Sequence, residues 1–275
     1  MTPTRRRALA VALRSAAALS SVALLPGCAV SDTPPPPTPE LRAPLVLLGE
    51  VHDHPGQHAL RLQAFEALLA RGARPALLLE PFDRQHQAAL DARRAAPPPP
   101  DADALIAIAG TGGWEWRFYR PFVELALRHD LPIVAVNVGR AEAQRVMREG
   151  LAAHGFDADV PPALLDAHAA LIGTSHCDQL DTATARRMAL AQIARDQSMA
   201  RALEAHADRG AVLLAGNVHV RTDIGAPVWL EAATRARSES IGFVEDADAS
   251  AAYDRRIVTA PHPRPDPCAP HMPAR

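Results

Sequence analysis

The chain has 275 residues, 48% of them hydrophobic, and a net charge of −2 with histidine neutral. That length and composition suit one well-buried domain, and a near-zero charge without a basic block beyond the first residues argues against nucleic acid as a partner. Lysine is absent, which excludes Schiff-base or ammonium chemistry from that side chain.

Arg5, Arg6 and Arg7 open a basic segment, and the apolar run 8–25 is interrupted by Arg14, Ser15, Ser20 and Ser21. The run is too short and too broken to span a bilayer and reads as a cleaved export signal over residues 1–27. Leu25-Pro26-Gly27-Cys28 resembles a bacterial lipobox, in which Cys28 becomes the lipid-bearing first residue of the mature chain. A plain signal peptide with an incidental cysteine is the alternative. In lipoproteins an Asp after the lipidated Cys favours the inner membrane. Ala29 stands there instead, so the expectation is an outer-membrane lipoprotein facing the periplasm or the cell surface. Residues 28–44, carrying Pro34–Pro37, read as an extended spacer.

Short apolar runs at 45–49, 76–79, 133–138 and 211–215 predict buried strands, with a fifth around 240–244. Helical patterns lie between them. The segment 57–71 repeats Leu60, Leu62, Phe65, Leu68 and Leu69 before Gly72, a natural C-terminal stop. Helices over 83–95, from Asp101 or Asp103 to 108, 116–129, 142–154 and 182–207 follow. Strands alternating with helices imply right-handed crossovers. The expected fold is therefore α/β: a mostly parallel β-sheet flanked by helices, in a single domain over 45–258. Residues 259–275 are Pro-rich and expected to lack structure. Cys177 and Cys268 could pair in an oxidising compartment, but the Pro-rich surroundings of Cys268 argue against a bridge.

Ligands of such sheets sit at the carboxyl ends of the strands. Glu50 and His52 follow the first run, Glu80 the second, Asn137 ends the third, and Asn217 and His219 follow the fourth. Gly49-Glu50-Val51-His52 and Gly216-Asn217-Val218-His219 share one spacing. Gly lets the backbone turn tightly at a strand end, and the imidazole beyond it can bind a metal or move a proton near neutral pH. Two His with a carboxylate match the donors of open metal sites. Each His could equally cap a nearby backbone carbonyl. On the metal reading, His52, Glu80, His219 and Glu50 are the ligands; in a hydrolase the same four would be catalytic, activating water.

The segments "LLGEVHDHPGQH", "LLLEPFDRQHQ", "WRFYRPFVELA", "LPIVAVNVGRAEA", "QIARDQSMA" and "LLAGNVHVRTDIGAPVWL" together resemble the ChaN-like haem-binding lipoproteins. That family shares a superfamily with the Tiki metal-dependent proteases and the erythromycin esterase-like hydrolases. The resemblance runs from about residue 45 to 245. It implies haem as cofactor, a lipid anchor, a homodimer, and a role in haem or iron acquisition, with tyrosine as the iron ligand. The tyrosines are Tyr119 and Tyr253. Tyr119 lies among Trp114, Trp116, Phe118 and Phe122, which could stack on a porphyrin, while Arg117, Arg120 and Arg140 could pair with propionates. The competing reading makes this aromatic stripe core packing. The Tiki likeness implies a divalent metal on His52, His219 and Glu80, with Glu50 as ligand or general base, in a metal-dependent hydrolase or protease. Asp196, in "RDQSMA", faces the site or caps a packed helix. His54, next to Pro55, is expected in solvent.

Overall fold

In the computed structural model, residues 36–245 and 252–269 are described; the segment expected to be an export signal and lipobox, with Cys28, lies outside them. The described residues hold a sheet of six parallel strands: β1 (Leu45–Leu48), β2 (Ala76–Asp83), β3 (Ile133–Asn137), β4 (Ala211–Leu214), β5 (Ser238–Val244) and β6 (Arg255–Val258). Their order is β3-β2-β4-β1-β5-β6. Helices α1 (Pro55–Ala70), α2 (Gln87–Ala95), α3 (Ala102–Ala109), α4 (Trp116–Arg128), α5 (Arg140–Glu149), α6 (Pro162–Ser175), α7 (Thr182–Ala205) and α8 (Ala232–Arg235) flank it.

Alternation within each strand sorts the core into two layers, because successive side chains leave opposite faces. Val46, Leu48, Leu77, Leu79, Val212 and Leu214 pack under α1 to α4, against Leu60, Phe65, Leu90, Leu105 and Phe122. Leu45, Leu47, Leu78, Ala211 and Leu213 meet Met199 and Leu203 of α7 on the other side. Every residue of β1 and β4 is buried, as a parallel sheet covered on both faces requires.

The connections leaving β1 and β2 cross the first face, whereas those leaving β3 and β4 cross the second. Because β4 lies between β1 and β2, neighbouring strands there send their chains in opposite directions. A crevice opens at such a point, beyond the carboxyl ends.

Local chemistry sets the helix ends. His54 caps α1, its Nδ1 accepting from Gln57 N (3.2 Å), and Pro55 takes the first turn. Asp101 and Asp181 cap α3 and α7 through Ala104 N and Thr184 N, both 2.8 Å.

Several expectations need correction. β2 runs on through Glu80 to Asp83, its register with β3 shifting between Leu79 and Asp83, so α2 begins at Gln87 after a 3-10 turn. Helix α6, which had no counterpart in the sequence reading, starts behind Pro161-Pro162. β6 is an edge strand of alternating half-buried and exposed residues. The segment from Thr259 to Ala269 is held rather than loose. His54 Nε2 donates to Ala260 O (2.9 Å), and Arg264 donates to Asp53 (Nε–Oδ2 3.0 Å) and Glu245 (Nη1–Oε2 2.6 Å). Cys268 is disulfide-bonded to Cys177, against the expectation from its proline-rich surroundings.

Candidate functional site

The outer half of the site follows β1. Glu50 is buried, and its carboxylate is met by three donors: Arg61 from α1, His52 Nδ1 (2.6 Å) and Tyr119 Oη from α4 (3.0 Å). An ionised carboxylate is an acceptor only, so His52 donates to it from Nδ1, and Nε2 has no hydrogen bond among the described residues. The His52 side chain is 54% exposed. Trp114 stands edge-on to it, with ring centroids 4.5 Å apart. Behind it, His58 Nε2 donates to His52 O (3.0 Å) while its ring stacks on Phe118 at 4.4 Å. Burial lowers the His58 pKa to about 4 and that of Arg61 to about 10. Two guanidinium nitrogens of Arg61, Nε and Nη2, are buried without a hydrogen bond among the described residues, so its charge rests heavily on Glu50.

The inner half joins β2, β4 and α7. The 3-10 turn Asn217–Val220 tucks His219 beneath the sheet edge, where its Nδ1 lies 2.6 Å from Asp196 Oδ1 and its Nε2 3.4 Å from Glu80 Oε1. Glu80 sits where the β2 register breaks, and such irregularities re-aim side chains; its Oε2 accepts from Gly216 N (2.7 Å). His168 of α6 donates from Nε2 to Ile224 O (3.0 Å), 3.4 Å from Asp196 Oδ2. Burial raises the pKa of Asp196 against the pull of His219. For Glu80 burial acts in the same sense, but His219, His52 and the Gly216 N–H outweigh it and the pKa falls. Burial would lower His219, yet Asp196 and Glu80 together raise it. The inner half thus holds the His219 imidazole between two carboxyl groups.

Glycine joins the halves. A Cβ on Gly216 would lie 2.9 Å from His52 Cε1, and one on Gly49 would lie 2.3 Å from Asn217 Oδ1. At both positions a side chain would press on the facing turn, because the two turns pass so close. Above them opens a cleft of about 530 Å³, floored by Glu50, His52, Gly216 and His219 and walled by Val51, Leu171, Ile172 and Val218.

The structure therefore brings Glu50, His52, Glu80 and His219 to one place, as the strand-end rule implies. They are not arranged as a ligand set. Among the described residues no three His, Cys, Asp or Glu side chains are placed to hold a metal ion; Nδ1 of each site histidine is turned onto a carboxylate.

Tyr119, expected as the haem ligand, lies in the core. It is fully buried, bonded to Glu50, and burial raises its pKa, so it is a protonated core phenol. Arg117 pairs with Glu115 and lies over Phe118, Arg120 pairs with Asp103, and Arg140 opens α5 in solvent; none lines the cleft. His54, expected in solvent, is buried as the α1 cap.

Sequence reasoning missed His58 and Arg61, although both stand at helical spacing from His54 on the buried side of α1. A cation and an imidazole on an otherwise apolar stripe was the available signal. Asn137, expected at the strand-end site, accepts from Arg195 Nε instead (3.0 Å).

Among solved structures, ChaN of Campylobacter jejuni, described with cofacial haem binding, matches at a TM-score of 0.64 and 20% identity, covering 77% of this chain and 86% of that one. A mutant erythromycin esterase in its open conformation matches at 0.39 and 14% identity, covering 73% and 70%. A Bacillus cereus protein matches at 0.39 and 13% identity, covering 76% and 69%. No curated protein matches the chain. A family model for haem-binding uptake, Tiki superfamily, ChaN, matches residues 41–230; the chain belongs to that family.

Proposed function

We propose that the chain binds haem in the cleft beyond β1 and β4 and serves haem or iron acquisition, held at the outer membrane through a lipid on Cys28. Family membership supports haem as the ligand. The observation that carries its location is the cleft: about 530 Å³, with the apolar walls Val51, Leu171, Ile172 and Val218 and an imidazole half-exposed at its floor. A volume of this order suits a flat, mostly apolar ligand with a polar edge, and Thr174, Ser175 and Gln192 offer hydrogen bonds to that edge. Bound haem would supply an iron centre for transport or storage; the chain's own part is to exclude water from one face and to orient a donor. The Campylobacter jejuni relative is described with cofacial haem, and we extend the proposal to two copies of this chain meeting over their clefts, the exposed Val218 at the contact.

Titration of the full chain with hemin, followed by absorbance and by sedimentation, tests this. Saturation at a fixed ratio, with dimerisation on loading, is the expected result. Absence of saturable binding overturns it.

One observation favours a second reading. The Asp196–His219–Glu80 relay, buried at the cleft floor, is suited to moving a proton, as hydrolysis of an ester or peptide would need. Turnover of such substrates that is lost in His219→Gln would establish it.

A further inference from the structure

We propose that His52, through Nε2, is the haem iron ligand of this chain, in place of a tyrosine, and that Glu50 is its positioning residue. The inference rests on the haem reading above and assigns that ligand within it.

An iron ligand must present a free donor to the cleft. Tyr119 is buried and bonded to Glu50, and Tyr253 Oη is turned onto Asn217 O (3.4 Å). Of the histidines lining the cleft, His168 spends Nε2 on Ile224 O, and His219 has a carboxylate at each nitrogen. His52 differs on both counts: its side chain is 54% exposed, and Nε2 has no hydrogen bond among the described residues.

What holds the ring is equally specific. Nδ1 is 2.6 Å from a carboxylate that is itself fixed by Arg61 and Tyr119. A histidine that ligates iron commonly gives its other N–H to such a group, which sets the tautomer, orients the ring and makes the free nitrogen a stronger donor. Gly216 leaves room for the ring on one side, and the Trp114 edge limits it on another.

The test uses the full chain titrated with hemin, in wild type, His52→Ala, Tyr119→Phe and Glu50→Gln forms, read by absorbance and electron paramagnetic resonance. The expected results are saturable binding with a histidine-ligated spectrum in wild type and in Tyr119→Phe, and affinity at least tenfold weaker with a changed spectrum in His52→Ala. Millimolar imidazole should restore the wild-type spectrum to His52→Ala, an outcome that a folding defect would not give. In Glu50→Gln, the ferric form loses the charge that favours it, and the reduction potential of the bound haem should move upward. A wild-type spectrum retained in His52→Ala overturns the ligand assignment and leaves the haem reading intact. No saturable binding by wild type overturns the haem reading itself.

Discussion

Two tetrapeptides of the same pattern end in opposite situations. After β1, Gly49-Glu50-Val51-His52 leads into a turn that climbs to the α1 cap, and His52 is left half-exposed with its carboxylate buried behind it. After β4, Gly216-Asn217-Val218-His219 closes at once into a 3-10 turn, and His219 is buried over Asp196 with Val218 facing out. The residue two places before each histidine decides part of this. Glu50 fixes its own neighbour, whereas Asn217 spends its side chain on β5, donating from Nδ2 to Phe243 O (2.5 Å). One motif thus yields a half-exposed imidazole and a buried one, and the spacing alone does not distinguish them.

Removing the anchor of the outer half should cost most. Glu50→Ala strands the Arg61 guanidinium in the core, and losing one partner of a buried pair costs about 3–5 kcal/mol, measurable as a lowered urea midpoint with unchanged slope. Cys177→Ser with Cys268→Ser should lower stability by about 2–4 kcal/mol while leaving both carboxylate clusters in place; hydrogen exchange should then rise in residues 259–269.

The two halves should also respond oppositely to acid. His58, in the outer half, is held neutral by burial with a pKa of about 4 against an ordinary 6.5. Between those values the unfolded chain binds the extra proton, so stability from this group falls as pH drops from about 6.5 to about 4, by ~3 kcal/mol. His219 is raised, so its contribution is complete below 6.5 and is lost as pH climbs through its folded value. Denaturation midpoints of wild type and His58→Gln across that acid range check the first. An NMR titration of Asp196→Asn, in which the His219 pKa should fall, checks the second. Smallest is Gly216→Ala. Its Cβ presses on the half-exposed His52 ring and touches Glu80 Oε2 at 3.7 Å, so a stability loss near ~1 kcal/mol should accompany a displaced His52 resonance and weaker hemin binding.

Much of the scaffold could be read from residue patterns, because β1, β2, β3 and β4 are apolar runs between strong helix signals. The sheet edge could not: β6 begins Arg255-Arg256 and is half in water, so its alternation carries no apolar stripe. Helix α6 hides behind two prolines that also read as a loop, yet Pro162 sits at its first turn, where no N–H is needed. At the site, the strand-end rule found Glu50, His52, Glu80 and His219, since topology alone gathers them. It did not find who partners whom. Arg61 and Tyr119 come from helices distant in sequence, and only their packing makes Glu50 a triply held carboxylate. Tyr119 was open to both readings because an aromatic stripe looks the same whether it packs inward or awaits a ligand.

The position of β4 has a consequence for how the molecule forms. β1 and β2 are consecutive in the chain but do not touch; each pairs with β4, Leu45 and Ala76 both meeting Ala211. During synthesis the first two strands therefore wait, unpaired along that side, until residues far downstream arrive. Pairings of such long sequence separation slow folding and leave apolar edges open to other chains in the interval. A nascent chain stopped before Ala211 would lack both the central strand and half of the site, so fragments of that kind should aggregate rather than accumulate as a partly working binder.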